Sequence, residues 1–140
     1  MERFGVSGLG GRVLVPGETH GTVLKLDGPL SMWGGLDPET GEIIDRRHPQ
    51  SGLRLTGHVV VMPFGRGSSS SSAVLLEAVR LDMAPAAFCL LEIDPILALG
   101  ATVAQELYGK GPPVLVLVEN DYRKLETGMT ATIEEGRVLT

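Results

Sequence analysis

The sequence predicts an α/β domain with a β/β/α architecture. Three short apolar runs are typical of buried strands, and two segments with apolar residues at helical spacing separate them. A strand–helix–strand–helix–strand order of this kind forms a right-handed parallel unit, around which the β-rich ends of the chain must pair. The 140 residues suffice for one such domain and are too few for two, so we expect a single domain over residues 1–140.

The amino-terminal part of the chain combines two strands with one long excursion. The runs Arg12–Val15 and Thr22–Leu26 are rich in branched residues and are joined by a turn that contains Pro and Gly. The excursion covers residues 27–57, and loops this long inside a compact domain are usually functional or themselves structured. We expect Trp33 to cover the edge of its own core; the alternative is that it covers a partner's surface, because Trp is enriched at interfaces.

The regular elements follow the excursion. They are predicted as the strand His58–Met62, the helix Ala73–Arg80, the strand Ala87–Leu91, the helix Pro95–Tyr108 and the strand Val114–Val118. The residues that share an apolar side are Val74, Leu75, Ala78 and Val79 in the first helix, and Ile96, Leu99, Val103 and Leu107 in the second. Asp94 and Pro95 suit the N-cap and the first position of the second helix. The tail predicts a helical turn at Tyr122–Leu125 and two edge strands, Met129–Ile133 and Arg137–Leu139.

Composition and charge exclude several classes of function. With 12 Lys and Arg against 17 Asp and Glu, the formal charge is −5, and no basic face is available to displace counterions from nucleic-acid phosphates. The single Cys excludes a disulfide framework, a thiolate zinc site and an iron–sulfur cluster held by this chain alone, and the three His have no metal-ligand spacing. The apolar runs are too short to cross a bilayer and the N-terminus lacks the apolar core of a signal peptide, so we expect a cytoplasmic protein without membrane contact.

One predicted turn contains the residues that are best suited to bind a ligand. The segment Gly65–Ser69 leads from a buried strand into the start of a helix. Gly67 lets the backbone approach a ligand closely, and the free N–H groups at the start of the helix favour an anion. Arg66 adds a guanidinium fork that suits a carboxylate or a phosphate, and Ser68 places a hydroxyl beside that ligand. We therefore predict an anion-binding turn formed by Arg66, Gly67, Ser68 and Ser69.

Other interpretations of this turn, and other candidate residues, stay open. Gly/Ser runs are commonly flexible linkers, and serines make good N-caps, so a structural role is expected for most of Ser69–Ser72. A phosphate-binding P-loop needs a Lys that is missing here, and a dinucleotide fingerprint needs a third Gly where Ser70 stands. Cys89 lies within an apolar strand and is expected to be a buried, inert thiol. His48 lies in the excursion, where it could line a site shared with a partner.

Several motifs in order give the chain a family resemblance. They are Pro29–Asp45, His48–Pro49, Gly65–Ser69, Ala84–Ala86 and Leu97–Ala101. Taken together, these motifs resemble the small subunit of aconitase X, a family of dehydratases, over most of the chain. The resemblance implies a compact swivelling β/β/α domain in a heterodimer with a large subunit, and it implies that the large subunit carries an iron–sulfur cluster.

The resemblance also implies a role for the serine turn. In aconitases the swivelling domain supplies a serine general base from a Gly-Ser-Ser turn, and the matching residue here is Ser68, the first Ser after Gly67. Ordinary aconitases continue with Arg-Glu-His, of which the Arg grips a substrate carboxylate, whereas this chain continues with Ser70–Ser72. The substrate-gripping Arg is then Arg66 or comes from the partner, and the substrate is not citrate. In the implied lyase step, Ser68 moves the proton α to a carboxylate while iron in the large subunit takes the leaving hydroxyl.

The substrate and the role of the domain leave alternatives. Members of the family act on cis-3-hydroxy-L-proline or on mevalonate 5-phosphate; the second favours extra basic residues, and only Arg66 lies in the turn, with Arg46 and Arg47 in the excursion. We therefore expect cis-3-hydroxy-L-proline, with mevalonate 5-phosphate as the alternative. A different hypothesis is a stand-alone module that binds a small anion without catalysis, and a third makes the turn purely structural. A subunit is expected to expose an apolar patch around Leu30–Leu36, whereas a module buries it.

Overall fold

The computed structural model describes residues 3–5, 12–65 and 69–140. Its strands are β1 (Arg3–Gly5), β2 (Arg12–Val15), β3 (Thr19–Lys25), β4 (Val59–Met62), β5 (Ala87–Leu90), β6 (Val114–Val116), β7 (Thr130–Glu134) and β8 (Arg137–Leu139). Its helices are α1 (Met32–Gly35), α2 (Ser70–Arg80), α3 (Pro95–Tyr108) and α4 (Glu119–Lys124). No helix in these ranges is long and apolar enough to cross a membrane.

The strands form one mixed sheet in the order β1-β8-β7-β3-β4-β5-β6-β2. Strands β3, β4, β5 and β6 are parallel neighbours, and the outer pairs are antiparallel. The predicted strand–helix–strand–helix–strand unit, with the β-rich ends paired around it, is therefore confirmed. Strand β3 begins at Thr19, earlier than predicted, because its first residues, Thr19–Thr22, pair with β7 while Val23–Lys25 pair with β4.

The central strands are buried on both faces. Every residue of β4 and β5 is buried, as expected for parallel strands that are covered on both sides. Side chains alternate along these strands: Val60, Met62, Phe88 and Leu90 join the larger core with α2 and α3, whereas Val59, Val61, Ala87 and Cys89 join a smaller core closed by the tail. The carboxyl ends of β4 and β5 are consequently held from two sides, and they form a rigid base for the segments that follow them.

The buried side of α3 differs from the apolar side that the sequence predicts. Leu99 and Leu107 are 58% and 63% exposed, while the buried residues of the helix are Leu97, Gly100, Ala101 and Ala104. Small residues are buried because α2 and α3 approach closely: a Cβ atom at Gly100 would lie 3.1 Å from the Cα atom of Ser72. In α2, the predicted Leu75, Ala78 and Val79 are buried and Val74 is partly buried.

The start and end of α3 follow local rules. Asp94 Oδ1 accepts hydrogen bonds from the backbone N–H groups of Ile96 (3.1 Å) and Leu97 (3.0 Å), and Pro95 occupies the first turn, where its missing N–H costs nothing. Gly109 ends the helix with a left-handed backbone (φ 68°). The predicted cap and first helical position are confirmed.

The excursion is itself structured and packs on the core. Leu30, Met32 and Leu36 are buried, whereas Trp33 between them is 59% exposed. The expectation that Trp33 covers its own core is therefore wrong. Over Leu30–Leu36, where exposure is expected of a subunit and burial of a stand-alone module, the aliphatic side chains are buried and Trp33 is exposed, so the segment meets neither expectation in full. Residue Leu30 forms a parallel bridge with Gly65, which ties the excursion to the segment after β4. The excursion thus leaves one large aromatic side chain in solvent beside that segment.

Candidate functional site

The candidate site lies at the carboxyl edge of the parallel strands. Strand β4 ends at Met62 and β5 at Leu90, and ligand sites in open α/β sheets gather at this edge. The residues 66–68 lie outside the described residues, so the predicted roles of Arg66, Gly67 and Ser68 stay predictions. The structure does describe both flanks of that segment, Gly65 and Ser69.

Gly65 is the point at which three parts of the molecule meet. It pairs with Leu30 of the excursion, and a Cβ atom placed on it would fall inside van der Waals contact of Asp94 Oδ2. Asp94 is 8% exposed, and its other oxygen caps α3. Lack of space favours glycine here, because a side chain must displace the carboxylate that caps α3. The sequence identifies Asp94 as a cap, but it does not reveal this contact.

The serines at the start of α2 divide into different roles. Ser69 occupies the N-cap position with helical backbone angles and makes no side-chain cap hydrogen bond, and it is exposed. Ser71 is buried; its Oγ accepts a hydrogen bond from the Trp33 backbone N–H (3.3 Å) and lies 3.5 Å from Ser31 Oγ. Ser72 Oγ donates to the carbonyl of Ile96 at 2.7 Å. Ser71 and Ser72 are therefore structural, as predicted, but through tertiary hydrogen bonds rather than through capping.

His48 lines a cleft of about 500 Å³ in the excursion, which we call the His48 cleft. The cleft is formed by Gly28, Pro29, Ser31, Trp33, Gly34, Gly35, Asp45, Arg47, His48 and Pro49. His48 is 8% exposed, and its Nδ1 accepts a hydrogen bond from the Gln50 backbone N–H (3.0 Å). Because Nδ1 is an acceptor, the neutral ring carries its proton on Nε2. That Nε2 is buried and has no hydrogen-bond partner among the described residues.

Burial of a donor without an acceptor is unfavourable, by roughly 1–3 kcal/mol. His48 is therefore a residue whose Nε2–H lacks a hydrogen-bond acceptor within the described chain. His58 also has a buried nitrogen, Nδ1, without a described partner, but it lies just before β4 at the opposite edge of the sheet. The sequence prediction singles out His48 only by its place in the excursion. The orphaned donor is visible only in the three-dimensional arrangement.

A larger cleft, of about 780 Å³, lies at the opposite edge of the sheet. It is lined by segments that precede β3, β5 and β6 and by the ends of α2 and α3, including Pro85, Pro113, Gln105 and Lys110. Lys110 forms an exposed ion pair with Asp82 there. No buried polar side-chain atom that lacks a partner belongs to this lining among the described residues, so its size alone assigns it no role.

The donor set of the described residues does not fit an iron–sulfur cluster. Cys89 is buried in β5, and burial raises the pKa of its thiol to about 12, so the thiolate that binds iron is absent at neutral pH. No group of three or more His, Cys, Asp or Glu side chains suited to a metal occurs in the described ranges. The prediction that Cys89 is a buried thiol is confirmed.

The fold is that of a mixed α/β domain whose described clefts are open rather than enclosed. The aconitase X swivel domain model matches residues 8–140, and the chain belongs to this family.

Relatives and solved structures agree with this assignment. A cis-3-hydroxy-L-proline dehydratase from Pseudomonas aeruginosa is 46% identical over 127 residues, which are 91% of this chain and 22% of the relative. A phosphomevalonate dehydratase small subunit from Methanothermobacter thermautotrophicus is 42% identical over 93 residues, covering 66% of this chain and 71% of the relative. The crystal structure of Thermococcus kodakaraensis aconitase X in its holo-form superposes with a TM-score of 0.83 at 30% identity, over 99% of this chain and 97% of that one. The chain thus spans about a fifth of the length of the first relative.

Proposed function

We propose that this chain forms one wall of the active site of an aconitase X-type dehydratase, with a large subunit as its partner. The observation that carries the proposal is the family membership, joined to the position of Gly65 and Ser69, the described flanks of residues 66–68, at the carboxyl edge of the parallel strands. Relatives of this domain are named as dehydratases or as small subunits of one. The proposal places the family's iron–sulfur cluster in the large subunit, since the donors described in this chain do not suit it.

The two candidate substrates share one functional arrangement on which a serine base and an anion-binding turn can act. Each is a carboxylate with a hydroxyl on the carbon β to it, so loss of water requires removal of the proton on the α carbon. In this proposal Ser68 Oγ accepts that proton, the electron pair of the C–H bond forms the double bond between the α and β carbons, and the hydroxyl leaves the β carbon with the C–O electron pair. The proton and the hydroxide together make up the water that is lost. Arg66, Gly67 and Ser69 bind the carboxylate, Arg66 through its guanidinium and the others through the start of α2.

Ser68 needs help to act as a base, because a serine hydroxyl has far too high a pKa to take a proton from carbon unaided. Backbone N–H groups at the start of α2 and the positive charge of Arg66 stabilise an oxyanion at this position. Gly65 contributes by position: with its contacts to Leu30 and Asp94, it fixes where the turn leaves β4. Ser69, exposed and without a cap hydrogen bond, is compatible with a ligand contact.

The preferred substrate is cis-3-hydroxy-L-proline. The relative with that activity in its name matches 91% of this chain, and Arg66 alone supplies a cation within the turn. Mevalonate 5-phosphate is the second candidate, and it is favoured by one observation: Arg47 lines the His48 cleft and is exposed, where it could meet a phosphate. His48 lines the same cleft and is proposed to belong to a site shared with the large subunit.

The test is turnover by the complex. This chain is co-expressed with the large subunit from the same genome, purified without oxygen, and given each substrate in turn while the dehydrated product is followed by mass spectrometry. Ser68→Ala is expected to lower turnover by about 10²–10⁴, as loss of a general base does. Ser69→Ala is the matched control, expected to affect KM more than kcat. Unchanged turnover in an intact Ser68→Ala complex contradicts the assigned base. Anion binding by the lone chain, without complex or turnover, favours the stand-alone module.

A further inference from the structure

An exposed aromatic side chain and a buried hydrogen-bond donor without an acceptor lie in the same cleft of the excursion. Trp33 exposes 59% of its surface, and the Nε2–H of His48 is a buried donor without a described acceptor. Both residues line the His48 cleft. An exposed aromatic alone is unremarkable on a protein surface, but one beside an orphaned buried donor points to a missing occupant.

Trp33 is held in place rather than carried on a loose loop. Its backbone N–H donates to Ser71 Oγ at 3.3 Å, and its neighbours Met32 and Gly35 are buried. The backbone turns sharply after it, because Gly34 adopts φ 75°, a left-handed conformation suited to glycine. The excursion therefore presents the indole from a fixed backbone, and a rigid exposed Trp is typical of an interface residue that contributes much of the binding energy.

His48 is fixed in the same way. Its Nδ1 is occupied by the Gln50 backbone N–H (3.0 Å), and Gln50 in turn donates from its side chain to the Lys25 carbonyl (3.0 Å) at the end of β3. The ring cannot flip to satisfy Nε2 without breaking the bond at Nδ1. Nε2 is shielded from solvent in the isolated chain, so an acceptor from outside reaches it only after a local rearrangement of the cleft.

We infer that the His48 cleft is where the large subunit docks: an oxygen acceptor of that subunit, a backbone carbonyl or a carboxylate, takes the hydrogen bond of His48 Nε2–H, and an apolar surface covers Trp33. This inference rests on the proposed function, because it names the contact made by the proposed partner. The relative from Pseudomonas aeruginosa has most of its length outside the matched part, so a much larger polypeptide accompanies such a domain there.

The location of the cleft favours this occupant. Leu30, at the base of the excursion, pairs with Gly65, and Trp33 is hydrogen-bonded to Ser71, so the cleft lies on the same side of the fold as Gly65 and the start of α2. A partner that completes a site at the turn must therefore cover this side. Leu107, although 63% exposed, lies at the far end of α3, beside the cleft at the opposite edge of the sheet, and it serves as a matched control.

The test uses the fact that Trp33 is the only Trp of the chain. The chain labelled with 5-fluorotryptophan gives a single ¹⁹F resonance, which is followed as unlabelled large subunit is added. We expect the resonance to shift on binding. We expect Trp33→Ala, measured by calorimetry, to weaken the complex about 30-fold or more, the range of an interface hot spot, and Leu107→Ala to change it less than about 3-fold.

Two variants of His48 separate a docking role from a structural one. His48→Asn keeps an acceptor for Gln50 and removes the Nε2–H donor, whereas His48→Gln keeps a donor near Nε2 and loses the acceptor. We expect His48→Asn to weaken the complex about 10-fold without loss of thermal stability in the free chain, and His48→Gln to show the reverse. A residue with a purely structural role shifts stability and affinity together.

The outcomes distinguish this inference from the proposed function. A wild-type complex that forms but dehydrates neither substrate overturns the proposed function, while the affinities of the variants still decide the docking surface. An active complex in which Trp33→Ala and His48→Asn bind as tightly as Leu107→Ala overturns the docking surface alone. Failure of the wild-type chain to bind the large subunit at all overturns both.

Discussion

Gly65→Ala tests the contact on which the geometry of the turn depends. Gly65 does not have a positive φ, so alanine adds no backbone strain, and the effect comes from the collision of its Cβ atom with Asp94 Oδ2. Oδ2 is the end of a flexible side chain, but Asp94 is not free to rotate, because Oδ1 holds the N–H groups of Ile96 and Leu97. Relief of the collision therefore removes the cap of α3.

The magnitude follows from that cap. Loss of an N-cap costs about 0.5–2 kcal/mol, and a displaced, largely buried carboxylate adds to this cost. Replacing glycine by alanine stabilises by about 0.4–1 kcal/mol through the unfolded chain, which offsets part of it. We expect a net loss of about 1–3 kcal/mol, or a fall in Tm of about 4–12 °C for a chain of this size.

The assay is urea unfolding followed by circular dichroism, combined with amide hydrogen exchange. Gly28→Ala is the control, because a Cβ atom there meets nothing within 4 Å and the backbone is not left-handed. It is expected to be neutral or slightly stabilising. In Gly65→Ala the amides of Ile96 and Leu97 are expected to exchange faster, since they lose their acceptor.

A double-mutant cycle identifies the cause. In an Asp94→Ala background the collision partner is gone, so Gly65→Ala is expected to cost almost nothing further. The reasoning is refuted if the two costs add, or if Gly65→Ala stays within about 0.5 kcal/mol of wild type with the amides of Ile96 and Leu97 still protected.

Two further predictions concern packing and ionisation. Leu97→Ala is expected to lower the free energy of unfolding, measured in urea, by about 2–5 kcal/mol, and Leu99→Ala by less than about 0.5 kcal/mol. The reason is that Leu97 is buried and Leu99 is exposed. Equal losses contradict the assigned buried face of α3. Burial raises the pKa of Cys89 to about 12 from 9.0, so below pH 9 the thiol is protonated in both states, and above it the unfolded chain loses the proton first. The unfolding free energy is then expected to fall with rising pH by up to about 1.4 kcal/mol per pH unit between pH 9 and 12. Cys89→Ala is expected to remove this part of the pH dependence. Identical pH profiles of the unfolding free energy in the two proteins contradict the prediction.

The parts of the fold that the sequence predicts well are those with local or repetitive signals. The apolar runs of β4 and β5 have no polar residue to face solvent, so they are typical of strands buried on both faces. Asp94 followed by Pro95 indicates the start of α3 from two adjacent residues, the N-cap and the first helical position. These features need no knowledge of distant contacts.

The errors arise where distant contacts decide. The predicted apolar side of α3 counts its largest residues, but the buried side consists mainly of the small Gly100, Ala101 and Ala104, of which Gly100 lies against α2, and a hydrophobicity pattern undervalues such residues. Trp33 lies between the buried Met32 and Gly35 in a segment without regular periodicity, so no pattern reveals which side chain faces solvent. The orphaned Nε2 of His48 depends on Gln50 and on the packing of the cleft, and the sequence predicts neither.

The excursion packs against both flanks of residues 66–68, and this relates partner binding to turnover. Leu30 pairs with Gly65, just before residue 66, and Ser71, the second residue of α2, contacts both the backbone N–H of Trp33 and the hydroxyl of Ser31. We therefore expect a partner docked on Trp33 to influence the position of both flanks of residues 66–68. Ser71→Ala removes the hydrogen bond to Trp33 without touching the turn itself, so it is expected to weaken docking and to slow turnover in the bound complex. Ser72→Ala breaks only the link to Ile96, and it should leave docking unchanged.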